Sequence, residues 1–155
     1  KWREQIQWVI VGDGPSRSKM EDRAPSNMIF TGFLKGEELA EVYSASDLFV
    51  FPSSSETFGN VVLEAMASGT PVVCVNAGGV RNIVQEGMTG YLCEPGKPTE
   101  MLNAIQHLLE NDGVRNRMSL EGRKYALSQK WDVIFEKLLY SYSTVLKEPN
   151  KQKYA

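Results

Sequence analysis

"LFVFPSSSETFGNVVLEAMASGTPVVCV", residues 48–75, passes from an apolar stretch through a serine-rich loop and a helix-like stretch into a second apolar run. Asp47–Phe51 and Pro71–Val75 have strand length. Asn60–Ser68 between them has helical character, with Thr57 or Gly59 placed to cap its start and Gly69 to stop it. Both flanking runs are continuously apolar rather than alternating, which suits strands buried on both faces of a parallel sheet. One residue breaks the pattern. Glu64 stands between Val-Val-Leu and Ala-Met-Ala, and an unpaired buried carboxylate costs several kcal/mol or more. Asn60, Glu64 and Ser68 are spaced four apart, so they form one narrow polar stripe on a helix whose other positions are apolar. Glu64 therefore faces a polar cleft, or an exposed helix edge, or a partner such as a core arginine.

The pattern repeats on both sides. Gln7–Val11, Met28–Thr31 and Gly90–Cys93 are further apolar runs of strand length, and Ser16–Arg23, Gly36–Ser46 and Val80–Glu86 are helical candidates between them. Alternating β and α units predict an α/β fold with a doubly wound parallel sheet of about five strands. After residue 93 the pattern is helix only: Thr99–Glu110, Gly113–Ser128 and Trp131–Leu146. The last carries Trp131, Ile134, Phe135, Leu138, Tyr142 and Val145 at helical spacing. Residues 1–147 read as one domain and residues 148–155 as a polar, frayed tail.

Composition narrows the function. The chain has 155 residues, 42% apolar and 23% charged, with a formal charge of −2. It lacks the clustered Lys and Arg of a nucleic-acid surface, and no stretch is long and apolar enough to span a bilayer. Arg17-Ser18-Lys19 and the arginines of 115–123 are interleaved with acids and read as solvated helix faces. Cys74 and Cys93 sit in apolar runs as small hydrophobes, with a disulfide between them left open. His107 stands alone on a helix, so no metal site is implied.

The chemistry gathers after the third strand. Ligands of open α/β sheets bind beyond the carboxyl ends of the strands, where Glu56 lies. Free N–H groups at Phe58 to Val61 form a ready anion site. Two carboxylates beside an anion site suit a ligand with hydroxyls at both ends and phosphate in the middle, as in a nucleoside diphosphate-sugar. Glycine-bearing turns follow three other strands: Gly12-Asp13-Gly14-Pro15, Thr31-Gly32-Phe33 and Ala77-Gly78-Gly79.

VIVGDGP, NMIFTGFL, EELAEVYSASDLFVFPSSSETFGNVVLEAMASGTPVV, the AGGV turn and EGMTGYLCEPG span nearly the whole chain. Together they resemble the C-terminal, donor-binding domain of group 1 glycosyltransferases with the GT-B fold. The signature is a glutamate, seven residues and a second glutamate, matched by Glu56 and Glu64. The resemblance implies a retaining hexosyltransferase using a UDP- or GDP-sugar, with no cofactor and no metal. Glu56 would bind donor-sugar hydroxyls as the catalytic carboxylate, and Glu64 the ribose hydroxyls. Amides of Phe58, Gly59, Asn60 and Val61 would meet sugar oxygens and the β-phosphate. The backbone of Phe33 and Leu34 would line the base, and Gly12 and Gly14 would turn close to the nucleotide. The acceptor, a lipid or glycan, would be held by an N-terminal domain that these residues do not include.

The resemblance also implies that the chain is a truncated half of a GT-B fold, inactive alone, cytoplasmic, and membrane-peripheral at most in the longer enzyme. Its first strand–helix unit, bearing an arginine and a lysine for the diphosphate, would precede VIVGDGP. In the strand order 3-2-1-4-5-6 that unit is central. The remaining strands then either close as 2-1-3-4-5, with Gln7–Val11 pairing Asp47–Phe51, or keep a gap filled by another chain, which makes self-association one expectation. A non-catalytic nucleotide-sugar binding or regulatory domain is the alternative function. A glycosidase using Glu56 and Glu64 is disfavoured because both belong to one loop–helix unit, and a sugar-nucleotide epimerase is a residual reading.

Overall fold

In the computed structural model, which describes residues 2–147, the stretch quoted above folds as β3 (Phe49–Phe51), α3 (Asn60–Ala67) and β4 (Val72–Val75). Before it come β1 (Trp8–Val11), α1 (Arg17–Glu21), β2 (Met28–Gly32) and α2 (Gly36–Ala45), with a short 3-10 turn over Trp2–Gln5. After it come β5 (Gly90–Cys93), α4 (Pro98–Glu110), α5 (Asp112–Ser128) and α6 (Trp131–Lys147). The expected polar tail, 148–155, lies outside the described residues.

All ladders are parallel, as expected, but the strands form two sheets, β1-β2 and β3-β4-β5. Of the two closures open to the sequence, the direct pairing of β1 with β3 is not among the described ladders. The chain divides into two compact units, Lys1–Ala45 and Ser46–Ala155. In the first, Val9 and Ile29 stand in register, share a face and are exposed, as is Val11. Burial on both faces, expected of every strand, is met by β4 alone, where all four residues are buried.

In the second unit α3 and α4 pack against β4, and α5 packs against both helices. Val62, Ala65 and Met66 of α3 are fully buried, as are Leu108 of α4 and Met118 of α5. The end of α3 is closed by a Schellman motif. Gly69 takes φ +82°, its N–H donates to the Met66 carbonyl at 3.0 Å, and the Thr70 N–H donates to the Ala65 carbonyl at 2.9 Å. From α5, the Ser119 hydroxyl donates to the Gly69 carbonyl at 2.6 Å and Arg123 donates to the Ala67 carbonyl. The arginines of α5 are therefore not merely solvated. Arg115 likewise donates to the Leu108 carbonyl at 2.9 Å while pairing with Asp112 at 2.8 Å.

The helix expected over Val80–Glu86 is only a 3-10 turn, Val80–Asn82. The chain beyond it is committed to β5 instead. The Gln85 N–H donates to the Thr89 hydroxyl at 2.9 Å, and the Glu86 carboxylate accepts the Leu92 N–H at 2.6 Å. The apolar stripe of α6 is open: Trp131, Phe135, Leu138, Tyr142 and Val145 are all exposed.

Cys74 stands opposite Leu92, and Cys93 opposite Val75. Neighbours along a strand alternate faces, so the two thiols point to opposite sides of the sheet. Both are free and buried. Burial pushes the Cys74 thiol up to about 12, with the nearby Cys93 adding to it. Burial also pushes Cys93 up to about 11, with Glu100 and Glu86 adding to it. Alkylation by iodoacetamide at pH 8 should therefore modify neither thiol in the native protein and both in guanidinium chloride. In the core, Met66→Ala should lower unfolding free energy by about 2–5 kcal/mol in denaturant melts.

Candidate functional site

Residues 52–59 connect β3 to α3 as a loop whose shape is set by a carboxylate and two glycines. Glu56 is half-buried and turns back on its own backbone. Its Oε1 accepts the N–H of Thr57 at 3.1 Å, of Phe58 at 3.3 Å and of Gly59 at 3.2 Å. Gly59, not Thr57, is the N-cap, at φ +96°. A negative group placed before a helix start is favoured by the helix dipole as well as by the three donors.

That arrangement divides the amides expected to face a ligand. Those of Phe58 and Gly59 are committed to Glu56. Those of Asn60 and Val61 open the helix, where first-turn N–H groups have no intrahelical acceptor. Along α3 the polar stripe is where the spacing predicted it. Asn60 and Glu64 are exposed and Ser68 is half-buried, while Val62, Ala65 and Met66 face the core. The Glu64 carboxylate has no hydrogen-bond or ion-pair partner among the described residues. A core arginine as its partner is thereby excluded within that set.

Against the loop lies the turn after β4. The Gly79 N–H donates to the Glu56 carbonyl at 3.2 Å. A Cβ on Gly78, itself at φ +56°, would overlap the Glu56 carbonyl oxygen, and one on Gly79 would come within 2.6 Å of the Phe58 carbonyl oxygen. Sequence reading singled out this turn as one of several glycine-bearing turns but missed its contact with Glu56. Two successive glycines after a fully buried strand were the available signal.

The remaining expected residues lie in the first unit. Gly12, at φ +127°, follows β1, and its N–H donates to the Gly32 carbonyl at 2.7 Å. This bond brings Gly12 beside the end of β2, from which Phe33 and Leu34 continue; Phe33 is 76% exposed. Gly14 donates its N–H to the Asp13 carboxylate at 2.7 Å. Arg17 bridges Asp13 and Glu21, at 3.6 and 2.8 Å. The Tyr91 and His107 rings meet edge to face at 5.9 Å.

Comparison with known proteins bears on the family and the fold. The profile of the family described as "Glycosyl transferases group 1" matches residues 1–125. The chain is 39% identical over 145 residues to a GDP-mannose-dependent alpha-mannosyltransferase of Mycolicibacterium smegmatis, covering 93% of this chain and 38% of that protein. Among solved structures, a sucrose-phosphate synthase from Thermosynechococcus elongatus superposes with TM-score 0.77 at 29% identity, covering 93% of this chain and 40% of that one. The Anabaena protein HepE, crystallised with UDP and glucose, superposes with TM-score 0.75 at 27% identity, covering 90% and 41%. The chain thus spans about two-fifths of the length of each.

The two glutamates should separate in a stability measurement. Glu56→Ala leaves three loop amides without their acceptor and should cost about 1–3 kcal/mol in denaturant melts. Glu64→Ala removes an exposed, unpartnered group and should change stability by less than about 0.5 kcal/mol.

Proposed function

The chain belongs to the group 1 glycosyltransferases, and from that premise we propose that it binds a nucleoside diphosphate-sugar donor for a retaining sugar transfer. The observation that carries this reading is the loop–helix unit of Glu56 and α3. It presents one fixed carboxylate, two uncommitted helix N-terminal amides and one exposed carboxylate in sequence along a single element. Hydroxyls of the donor sugar bind the free oxygen of Glu56. The amides of Asn60 and Val61 take sugar or β-phosphate oxygens, and Glu64 accepts from the ribose diol. A vicinal diol supplies two donors to one carboxylate, which is why a glutamate serves at position 64 where a neutral side chain would not.

The resemblance assigns the base to the backbone of Phe33 and Leu34 and a close approach of the nucleotide to Gly12 and Gly14, all residues of the first unit. The donor is GDP- or UDP-linked. Relatives support each: the mannosyltransferase is named for GDP-mannose, and HepE was crystallised with UDP. No metal or cofactor takes part. The acceptor, a lipid or glycan, is held by residues other than these, and the diphosphate by basic groups beyond the loop–helix unit.

Titration calorimetry with GDP and UDP should therefore detect weak binding at most to these 155 residues, with no transfer of sugar. Each charge-assisted phosphate contact is worth about tenfold or more in affinity, and on this reading the basic groups that make them lie outside the loop–helix unit. In the longer enzyme, Glu64→Ala should chiefly raise the donor KM, and Glu56→Ala should chiefly lower kcat, because sugar positioning matters most as the glycosidic bond breaks. Unchanged donor KM in both variants would remove the role assignment. Transfer by these residues alone would overturn the division between donor and acceptor parts.

A further inference from the structure

We infer that the Gly78–Gly79 turn, with Val80 beneath it, is the positioning element for Glu56, acting through the backbone of residues 56–59. This deepens the donor-binding reading and rests on it for the role of Glu56, while the contact itself stands on geometry alone. Three observations converge. The turn and the loop are packed backbone to backbone, since a Cβ at Gly78 would overlap the Glu56 carbonyl oxygen and one at Gly79 would lie 2.6 Å from the Phe58 carbonyl oxygen. The two segments are joined by the Gly79 N–H to the Glu56 carbonyl at 3.2 Å. Val80 is fully buried, and its Cγ2 stands 3.2 Å from where a Cβ of Gly59 would be.

The consequence is a fixed carboxylate. Thr57, Phe58 and Gly59 can converge on one oxygen only while the backbone holds its bend, and the turn supports that bend along residues 56–59. Oε1 is thereby committed to three amides. Oε2 is the atom presented to a sugar hydroxyl. Ordinary side chains at 78 and 79 would push the loop away and release the carboxylate. The glycines are thus required by Glu56 as much as by the turn.

Amide hydrogen exchange in the full chain, read by NMR, tests this without any ligand. Glu56→Ala should speed exchange at Thr57, Phe58 and Gly59 by about tenfold or more. Glu56→Gln should keep most of the protection, because its carbonyl oxygen can still accept. Gly79→Ala, and the milder Val80→Ala, should speed the same three amides although Glu56 is intact, with the Val72–Val75 amides unchanged as the control for folding. If Gly79→Ala unfolds the protein, that control shows it and Val80→Ala decides. Three amides already unprotected in the wild type, or left unchanged by Glu56→Ala, would overturn the inference, as would turn variants that leave them protected. In the longer enzyme Val80→Ala should lower kcat more than it raises donor KM. A wild-type enzyme that transfers no sugar would defeat the proposed function and leave the exchange result standing.

Discussion

A carboxylate leaves water without a large penalty only when its lone pairs find donors, and Glu56 finds three of them in the next three residues of its own chain. That local solution fixes much else. The bend needed to converge three N–H groups on one oxygen brings Gly59 into a left-handed conformation. That conformation starts α3, and the direction of α3 then decides which residues meet the core. A close approach of the Gly78–Gly79 backbone holds the bend from the other side. The hydrogen bonds are modest individually, about 1.5–3 kcal/mol each when one partner is charged. They act on the same loop as the Gly78–Gly79 contact, and the two together set its shape.

The helix so started is fastened at both ends by charge of the favourable sign. Glu56 stands at its N-terminus, and Arg123 donates to the Ala67 carbonyl at its C-terminus, beside the Schellman closure at Gly69. Its packed face is short: Val62, Ala65 and Met66 cover it completely. What is left is the stripe of Asn60, Glu64 and Ser68, with nothing in the described structure using the Glu64 carboxylate. An eight-residue helix held this firmly at both ends is a rigid platform. A carboxylate on its free side keeps its bearing without a partner to hold it.

The strand–loop–helix–strand segment was legible because local rules agree there: a continuous apolar run for β4, a four-residue polar spacing along α3, and a glycine stop at Gly69. The spacing placed Glu64 on a polar stripe but left a core partner open, and the structure shows none among the described residues. The Val80–Glu86 segment was misread as a helix because its apolar content is real. Val80, Ile83 and Val84 are buried. The competing pull came from Thr89 and Leu92, which lie beyond the apolar run itself and take up Gln85 and Glu86. Whether β1 pairs with β3 or the strands stay in two sheets was left open by the sequence. Strand character depends on local composition, whereas pairing depends on which edges meet, and Val9, Val11 and Ile29 read as interior residues although they are exposed. At the site, types and positions were legible, but the choice of the Phe58 and Gly59 amides between a ligand and Glu56 was not. That choice is made by a bend that the Gly78–Gly79 contact supports from the other side.

This choice bears on how a diphosphate can bind. Glu56 and an incoming phosphate both draw on the N–H groups around the start of α3, and Thr57, Phe58 and Gly59 are already committed to the carboxylate. Asn60 and Val61 remain, and two charge-assisted contacts are worth about 1.5–3 kcal/mol each. Repulsion between phosphate and the two carboxylates offsets this by on the order of a few kcal/mol at close approach. The net attraction of the loop–helix unit for an anion is therefore small, and its attraction for hydroxyl donors is large, since the free oxygens of Glu56 and Glu64 are acceptors only. On the proposed reading the unit selects the two hydroxyl-bearing ends of the donor, the sugar and the ribose. Neutralising the diphosphate between them falls to cationic groups elsewhere, and catalysis of its departure falls to them as well.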